Sequence, residues 1–265
     1  SINSRTFRTE DQAEKDNSRQ FSFNYTNNID DDGQKLTADF QYSYDNEDVL
    51  TIIREDRSIP TDSLIALENI YEKQKQDDIL AQIDYVLPLG DAQFEAGYRG
   101  TFEKEVNDYQ LDTLNQGTGN FITNQDLTNI FTYNENVNAL YTQYGNKYGK
   151  FSVLLGLRLE NTELRGEVDA SIDSQALEEL VGEDVDLNFD KNYLGLFPTV
   201  NLVYEISKTQ NISLGYNRRI NRPRGWFINP FPSRSSRTNV FQGNPDLDPA
   251  FANAFDLGYM KRWKR

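Results

Sequence analysis

From Phe151 to Glu160 the chain reads Phe-Ser-Val-Leu-Leu-Gly-Leu-Arg-Leu-Glu, with an apolar side chain at every second position. Such a period-two ribbon shows one apolar face and one polar face. Leu154 is the exception on the polar face. The pattern recurs along the chain. Phe21, Phe23 and Tyr25 alternate with polar residues, as do Leu36, Ala38, Phe40, Tyr42 and Tyr44. Ile79, Ala81, Ile83, Tyr85 and Leu87 alternate, turn at Pro88-Leu89-Gly90-Asp91, and return as Ala92, Phe94, Ala96, Tyr98, Gly100 and Phe102. About nine such strands are expected, with an ambiguous one near 134–144, where Val137, Ala139 and Tyr141 compete with Leu140 and Tyr144 for the apolar face.

The connections alternate in length. Short ones of about 4–6 residues include Asp30-Asp31-Asp32-Gly33, and long polar ones are expected at about 45–77, 104–132, 164–194 and 221–253. A short helix is expected within the first of these, on Leu64, Leu67, Ile70 and Tyr71, and another at Ser174–Val181. Residues 1–20 are expected to be a lead-in or one extra strand. Tight turns at one end and long loops at the other are the plan of an outer-membrane barrel. The expected fold class is therefore all-β: an antiparallel up-and-down transmembrane barrel, with residues 1–265 forming one partial barrel domain. Tyr85, Tyr98, Phe102, Tyr204, Tyr216 and Trp263 fall near strand ends, where an interfacial girdle would want them.

Composition narrows the function classes. No apolar run reaches the length of a membrane helix, yet the 15 Tyr and 16 Phe argue against a disordered tail. A net charge of −15 disfavours a nucleic-acid partner. The chain has no Cys and no His, which removes thiolate sites, disulfides and the commonest catalytic base. Carboxylates abound without a spacing that singles out an acid–base pair, so no enzyme activity, cofactor or metal is expected. Asp30-Asp31-Asp32-Gly33 has only part of a calcium-loop spacing and is expected to be a plain turn.

The run 211–251 carries five prolines and an Arg–aromatic mixture. Arg218-Arg219-Ile220-Asn221-Arg222-Pro223, Trp226, Asn229-Pro230-Phe231 and Gly243-Asn244-Pro245-Asp246-Leu247-Asp248-Pro249 resemble the barrel of TonB-dependent outer-membrane receptors, in the form common in Bacteroidetes-type bacteria. So do Gly149-Lys150-Phe151 with Gly156-Leu157-Arg158-Leu159-Glu160, and Phe197-Pro198-Thr199-Val200-Asn201-Leu202. The resemblance covers roughly 133–262 well and the earlier part by pattern alone. It implies a bacterial outer-membrane location and energised uptake of a scarce nutrient such as a siderophore, cobalamin or glycan. The implied partners are that ligand, and the TonB system acting through a plug domain that has no counterpart in these residues. An odd strand count and a terminal Lys261–Arg265 without a closing aromatic are expected of a piece of a larger barrel.

With apolar faces on lipid, Glu95, Arg99, Arg158, Glu160 and Arg219 are expected to line the lumen and contact a plug or a solute, or else pair with one another across strands. Arg218 is expected outside, near the lipopolysaccharide phosphates. Arg222, Arg224, Trp226, Phe227 and Phe231, with Arg234 and Arg237 beside them, are expected to capture ligand at an extracellular mouth or to form a loop packed on its own aromatics. Two alternatives remain: a barrel of the same shape acting as an adhesin or scaffold, and a soluble glycan-binding β-sandwich, in which the Phe151–Leu159 face would be buried by a second sheet.

Overall fold

The computed structural model describes residues 4–181, 186–234 and 240–263. Its elements in chain order are β1 (Arg5–Asn28), β2 (Lys35–Ile59), β3 (Ser63–Leu89), β4 (Ala92–Asn115), β5 (Asn120–Thr123), β6 (Asn129–Tyr148), β7 (Phe151–Ala170), α1 (Ser174–Val181), β8 (Asn188–Ser207), β9 (Gln210–Asn221), α2 (Gly225–Ile228), β10 (Ser233–Arg234), β11 (Val240–Phe241) and β12 (Ala250–Lys261). The long strands form one antiparallel sheet in the order β1-β2-β3-β4-β6-β7-β8-β9-β12, with short β5 attached to β4 and a separate β10–β11 pair. Neighbours in sequence are neighbours in space, as an up-and-down barrel wall requires.

The expected faces are present. Ile83, Tyr98, Leu140, Leu159 and Leu196 lie in one register row. Ile83, Leu140, Leu159 and Leu196 are exposed at 51%, 62%, 42% and 47%. A face of this kind is stable only against lipid. A sandwich would have buried it, so that alternative is withdrawn. The same row settles β6: Leu140 faces outward, whereas Val137 and Ala139 are buried on the lumenal side. The tight turns at Gly33, Gly90 and Gly149 each use a glycine with positive φ. The Asp30 Oδ1 atom accepts the N–H of Asp32 and of Gln34, so the acidic triplet is a turn.

Three of the four connections at the opposite end are much shorter than expected, and the last is close to its expected length. The segment 45–77 holds no helix; β2 and β3 run through it and meet at a three-residue tip, 60–62. Most of 104–132 belongs to β4 and β6, and 164–194 is strand up to Ala170 and again from Asn188. The last connection is 222–249. The lead-in 1–20 is strand from Arg5 onward. Strands of 20–27 residues far exceed the roughly 9–11 that cross a bilayer. The wall therefore stands well above the membrane.

The reason lies in the side-chain pattern. Along β7 the outward residues Phe151, Val153, Leu155, Leu157 and Leu159 are followed by Asn161, Glu163, Arg165, Glu167 and Asp169. The inward residues change the other way, from Ser152, Gly156, Arg158 and Glu160 to Thr162, Leu164, Gly166 and Val168. Leu164 and Val168 are buried at 1% and 8%. The period of two continues, but its polarity inverts once the outer face leaves lipid for water. The helix α1 falls where its pattern predicts, and the buried Leu177 docks it on this inner surface.

Candidate functional site

The inverted upper wall has an apolar inner surface, and the chain fills it with its own connections. Phe131 and Tyr133 on β6, Leu164 and Val168 on β7, and Leu177 on α1 pack with Ile228 and Phe231 from the 222–249 connection. A second cluster joins Ile53, Ile70, Tyr109, Leu111 and Leu127 on the β2–β4 side. Burying several large side chains stabilises by about 1.5–3 kcal/mol each. The connection is thus folded down onto the lumenal wall.

Its sequence explains its shape. Asn229 Oδ1 accepts the N–H of Phe231, and Asn244 Oδ1 accepts that of Asp246, so each Asn-Pro pair is an Asx-capped turn. The Gly243 N–H donates to the Asn229 carbonyl and the Asn244 N–H to the Phe227 carbonyl. A Cβ at Gly243 would lie 2.6 Å from the Phe227 carbonyl oxygen, so only glycine permits this approach. At Gly225 a Cβ would press on Glu105 Oε2 and the Tyr133 ring.

Two arginines latch the connection to the wall. Arg222 pairs with Glu160 through Nη2, and its Nε lies 3.9 Å from Glu135. Both its Nε and Nη2 also donate to Thr162 Oγ1, at 3.2 and 3.1 Å. Arg158 Nε and Nη2 reach Glu160 Oε2 at 2.8 and 2.7 Å, so this buried carboxylate joins two cations. Arg234 Nη2 lies 2.6 Å from Glu68, a residue only 3% exposed, and the Arg234 N–H donates to the Tyr109 hydroxyl. Burial lowers Arg222 from its usual value, the Glu135 carboxylate acting the other way. Burial likewise pushes the Tyr109 hydroxyl up to about 12 and raises Glu105, with Asp78 adding repulsion and Gln74 opposing it.

The expected ligand-capture set divides under this geometry. Arg222 and Phe231 are structural: one is latched, the other is 2% exposed. Trp226 and Phe227 remain 51% and 42% exposed and stack with centroids 3.6 Å apart, while Phe241, 42% exposed, lies 5.5 Å from Trp226. Arg224 starts α2 and is exposed. Arg237 lies outside the described residues. Glu95, Arg99, Arg158, Glu160 and Arg219 all fall on the inward face by register. Arg158 and Glu160 pair with each other, and Arg219 Nε donates to Asn217. Arg218 falls on the outward face by register, but its Nε is buried and its guanidinium lies 4.9 Å from the Phe251 ring centroid. Sequence reasoning missed Glu68, Tyr109, Glu135 and Thr162. The signal was the inverted alternation inside segments taken for loops.

A family model described as the outer membrane protein beta-barrel family matches residues 27–265. No curated protein matches the chain. Among solved structures, the ferric citrate transporter FecA in its unliganded form is 10% identical with a TM-score of 0.45, covering 85% of this chain and 32% of that one. The ferric yersiniabactin uptake receptor FyuA from Yersinia pestis is 9% identical with a TM-score of 0.47, covering 87% and 34%. The ferric-catecholate import receptor Fiu from K12 E. coli is 13% identical with a TM-score of 0.46, covering 85% and 38%. The chain thus spans about a third of the length of these structures.

Proposed function

The chain belongs to the outer membrane protein β-barrel family and lies in the bacterial outer membrane, and from that premise we propose that it is the barrel portion of a TonB-dependent receptor that takes up a scarce nutrient. The observation that carries this reading is the latched 222–249 connection. Its anchoring residues are buried against the upper wall, while Trp226, Phe227 and Phe241 stay exposed together at its surface. An aromatic cluster held on a rigid support is what ligand capture at a mouth needs, because little side-chain freedom is lost on binding. The inward Arg99 and Arg219 are in no ion pair among the described residues and are available to a plug or a passing solute. The similarity to FecA, FyuA and Fiu supports iron chelates as the first cargo to test.

The test expresses the full-length protein in cells with and without a functional TonB system. Uptake of labelled ferric siderophores, cobalamin and oligosaccharides is then measured. Energised accumulation of one cargo, weakened by Trp226→Ala with Phe227→Ala, is expected. Surface binding without accumulation in either background would contradict transport and leave a non-transporting surface barrel.

A further inference from the structure

The outer surface just above the lipid-facing band is not uniform around the wall. Three register rows above the lipid-facing band can be compared strand by strand, from the level of Tyr44 to that of Asp48. On β1–β4 these rows hold five cations, Lys15, Arg19, Lys73, Lys75 and Lys104, against three carboxylates, Asp48, Asp77 and Asp108. On β6–β8 the same rows hold one cation, Arg165, against Glu167, Asp169 and Asp190. One side carries two net positive charges and the other two net negative, in a chain of net charge −15.

The pairing differs as well. Arg165 is bound by Asp190 at 3.0 Å. On the basic side, among the described residues, Lys73 alone is in an ion pair, with Asp48 at 3.6 Å. Asp77 already accepts the Tyr42 hydroxyl at 2.6 Å. Among the described residues, Lys15, Arg19, Lys75 and Lys104 make no ion pair, and all four are exposed. Lys73 and Lys75 sit two apart on β3, and Lys104 is diagonal to Lys75 across the β3–β4 ladder, so the three share one patch of the outward face. Beside them is a groove of about 410 Å³, lined mostly from this face, in which Ala13, Leu50 and Tyr71 form the register row next to that of Lys15, Asp48 and Lys73.

We propose that this wall of β1–β4 binds the phosphates of a lipopolysaccharide headgroup through Lys15, Arg19, Lys73, Lys75 and Lys104. The outer leaflet places phosphorylated sugars at the level directly above the hydrocarbon. Lysine ammonium groups are compact donors to phosphate oxygens, and these four lysines and one arginine, of which only Lys73 is in an ion pair among the described residues, form a charge-complementary surface. The apolar floor of the groove offers Tyr71 to a sugar face. This site rests on the outer-membrane location and not on transport, so it stands or falls independently of any cargo.

The test uses the full-length protein in detergent, stripped of lipid and titrated with purified lipopolysaccharide, with bound lipid read by native mass spectrometry. Lys73→Gln with Lys75→Gln and Lys104→Gln is expected to weaken binding at least tenfold, on the scale of about fivefold per surface cation. Replacing the same three residues by Arg should retain binding, and Arg165→Gln should stay within about twofold of wild type. Single Lys75→Gln, expected to lose a few fold, serves if the triple variant does not assemble. Unchanged binding in the Gln variants, an equal loss in Arg165→Gln, or complete loss in the wild type on adding EDTA would each overturn the proposal. Displacement by millimolar inorganic phosphate would likewise show that a free anion, and not a lipid headgroup, is the occupant.

Discussion

The lower and upper halves of one strand use the same alternation with opposite sign. In the lower half of β7, Leu155, Leu157 and Leu159 face outward at 42–45% exposure, and Arg158 and Glu160 pair inside. In the upper half the outward residues are Glu163, Arg165 and Glu167, and Leu164 and Val168 are buried inside. The backbone and its ladder to β6 and β8 do not change across this boundary. What changes is the solvent on each face. Below, lipid is outside and water inside. Above, water is outside and the folded-down connections are inside. A β-wall can therefore support a membrane barrel and a packed extracellular mouth on continuous strands.

Five substitutions sharpen or break that contrast. The largest effect is expected at the upper latch. Arg234→Ala leaves Glu68 buried without this partner and should cost about 3–5 kcal/mol of local stability. Protease cleavage within the 222–249 connection should then appear while the strands stay protected. Leu155→Arg places a charge on lipid at about 2–4 kcal/mol and should impair membrane assembly, with Ser152→Arg on the lumenal face milder. Gly243→Ala forces the 227–229 backbone apart and should loosen the connection, seen as faster amide exchange at Gly243 and Asn244. The smallest effect belongs to Glu163→Arg, on the water-facing side of the upper half, which should stay within about 0.5 kcal/mol in denaturant titration.

Glu105 adds a pH dimension to the upper half. Its pKa is raised in the folded state, first by burial and then by Asp78. A raised carboxyl binds its proton more tightly when folded, so its contribution favours the fold at low pH. That contribution is lost as pH rises from the ordinary carboxylate value through the raised one. Glu105→Gln should therefore gain stability over wild type at neutral pH and lose the difference near pH 4, measured as paired unfolding midpoints.

The lower half was readable from sequence because each strand there repeats one rule. Phe94 to Phe102 and Phe151 to Leu159 leave no doubt about period or face. The turns at Gly33, Gly90 and Gly149 were readable for the same reason, since glycine marks positive φ. The upper half was not, because its exterior is charged and its inward apolar positions, such as Ile70, Tyr109 and Leu164, are spaced among carboxylates. Charge-rich alternation looks like loop until the inward residues are scored apart from the outward ones. The site suffered most from this. Arg222 and Arg234 were visible as cations, but their partners Glu160, Thr162 and Glu68 are brought to them only by the folding of a 28-residue connection onto strands two and five places away.

The inversion itself can be measured along β7. The chain has no native Cys, so single Cys substitutions from Phe151 to Val168 can each carry a polarity-sensitive fluorophore in liposomes containing brominated lipid. Strong quenching is predicted at positions 151, 153, 155, 157 and 159, and none at 163, 165 or 167. A blue-shifted, unquenched signal is predicted at 164 and 168. Quenching that continues through 163 and 167, or water-like emission at 164, would contradict the account.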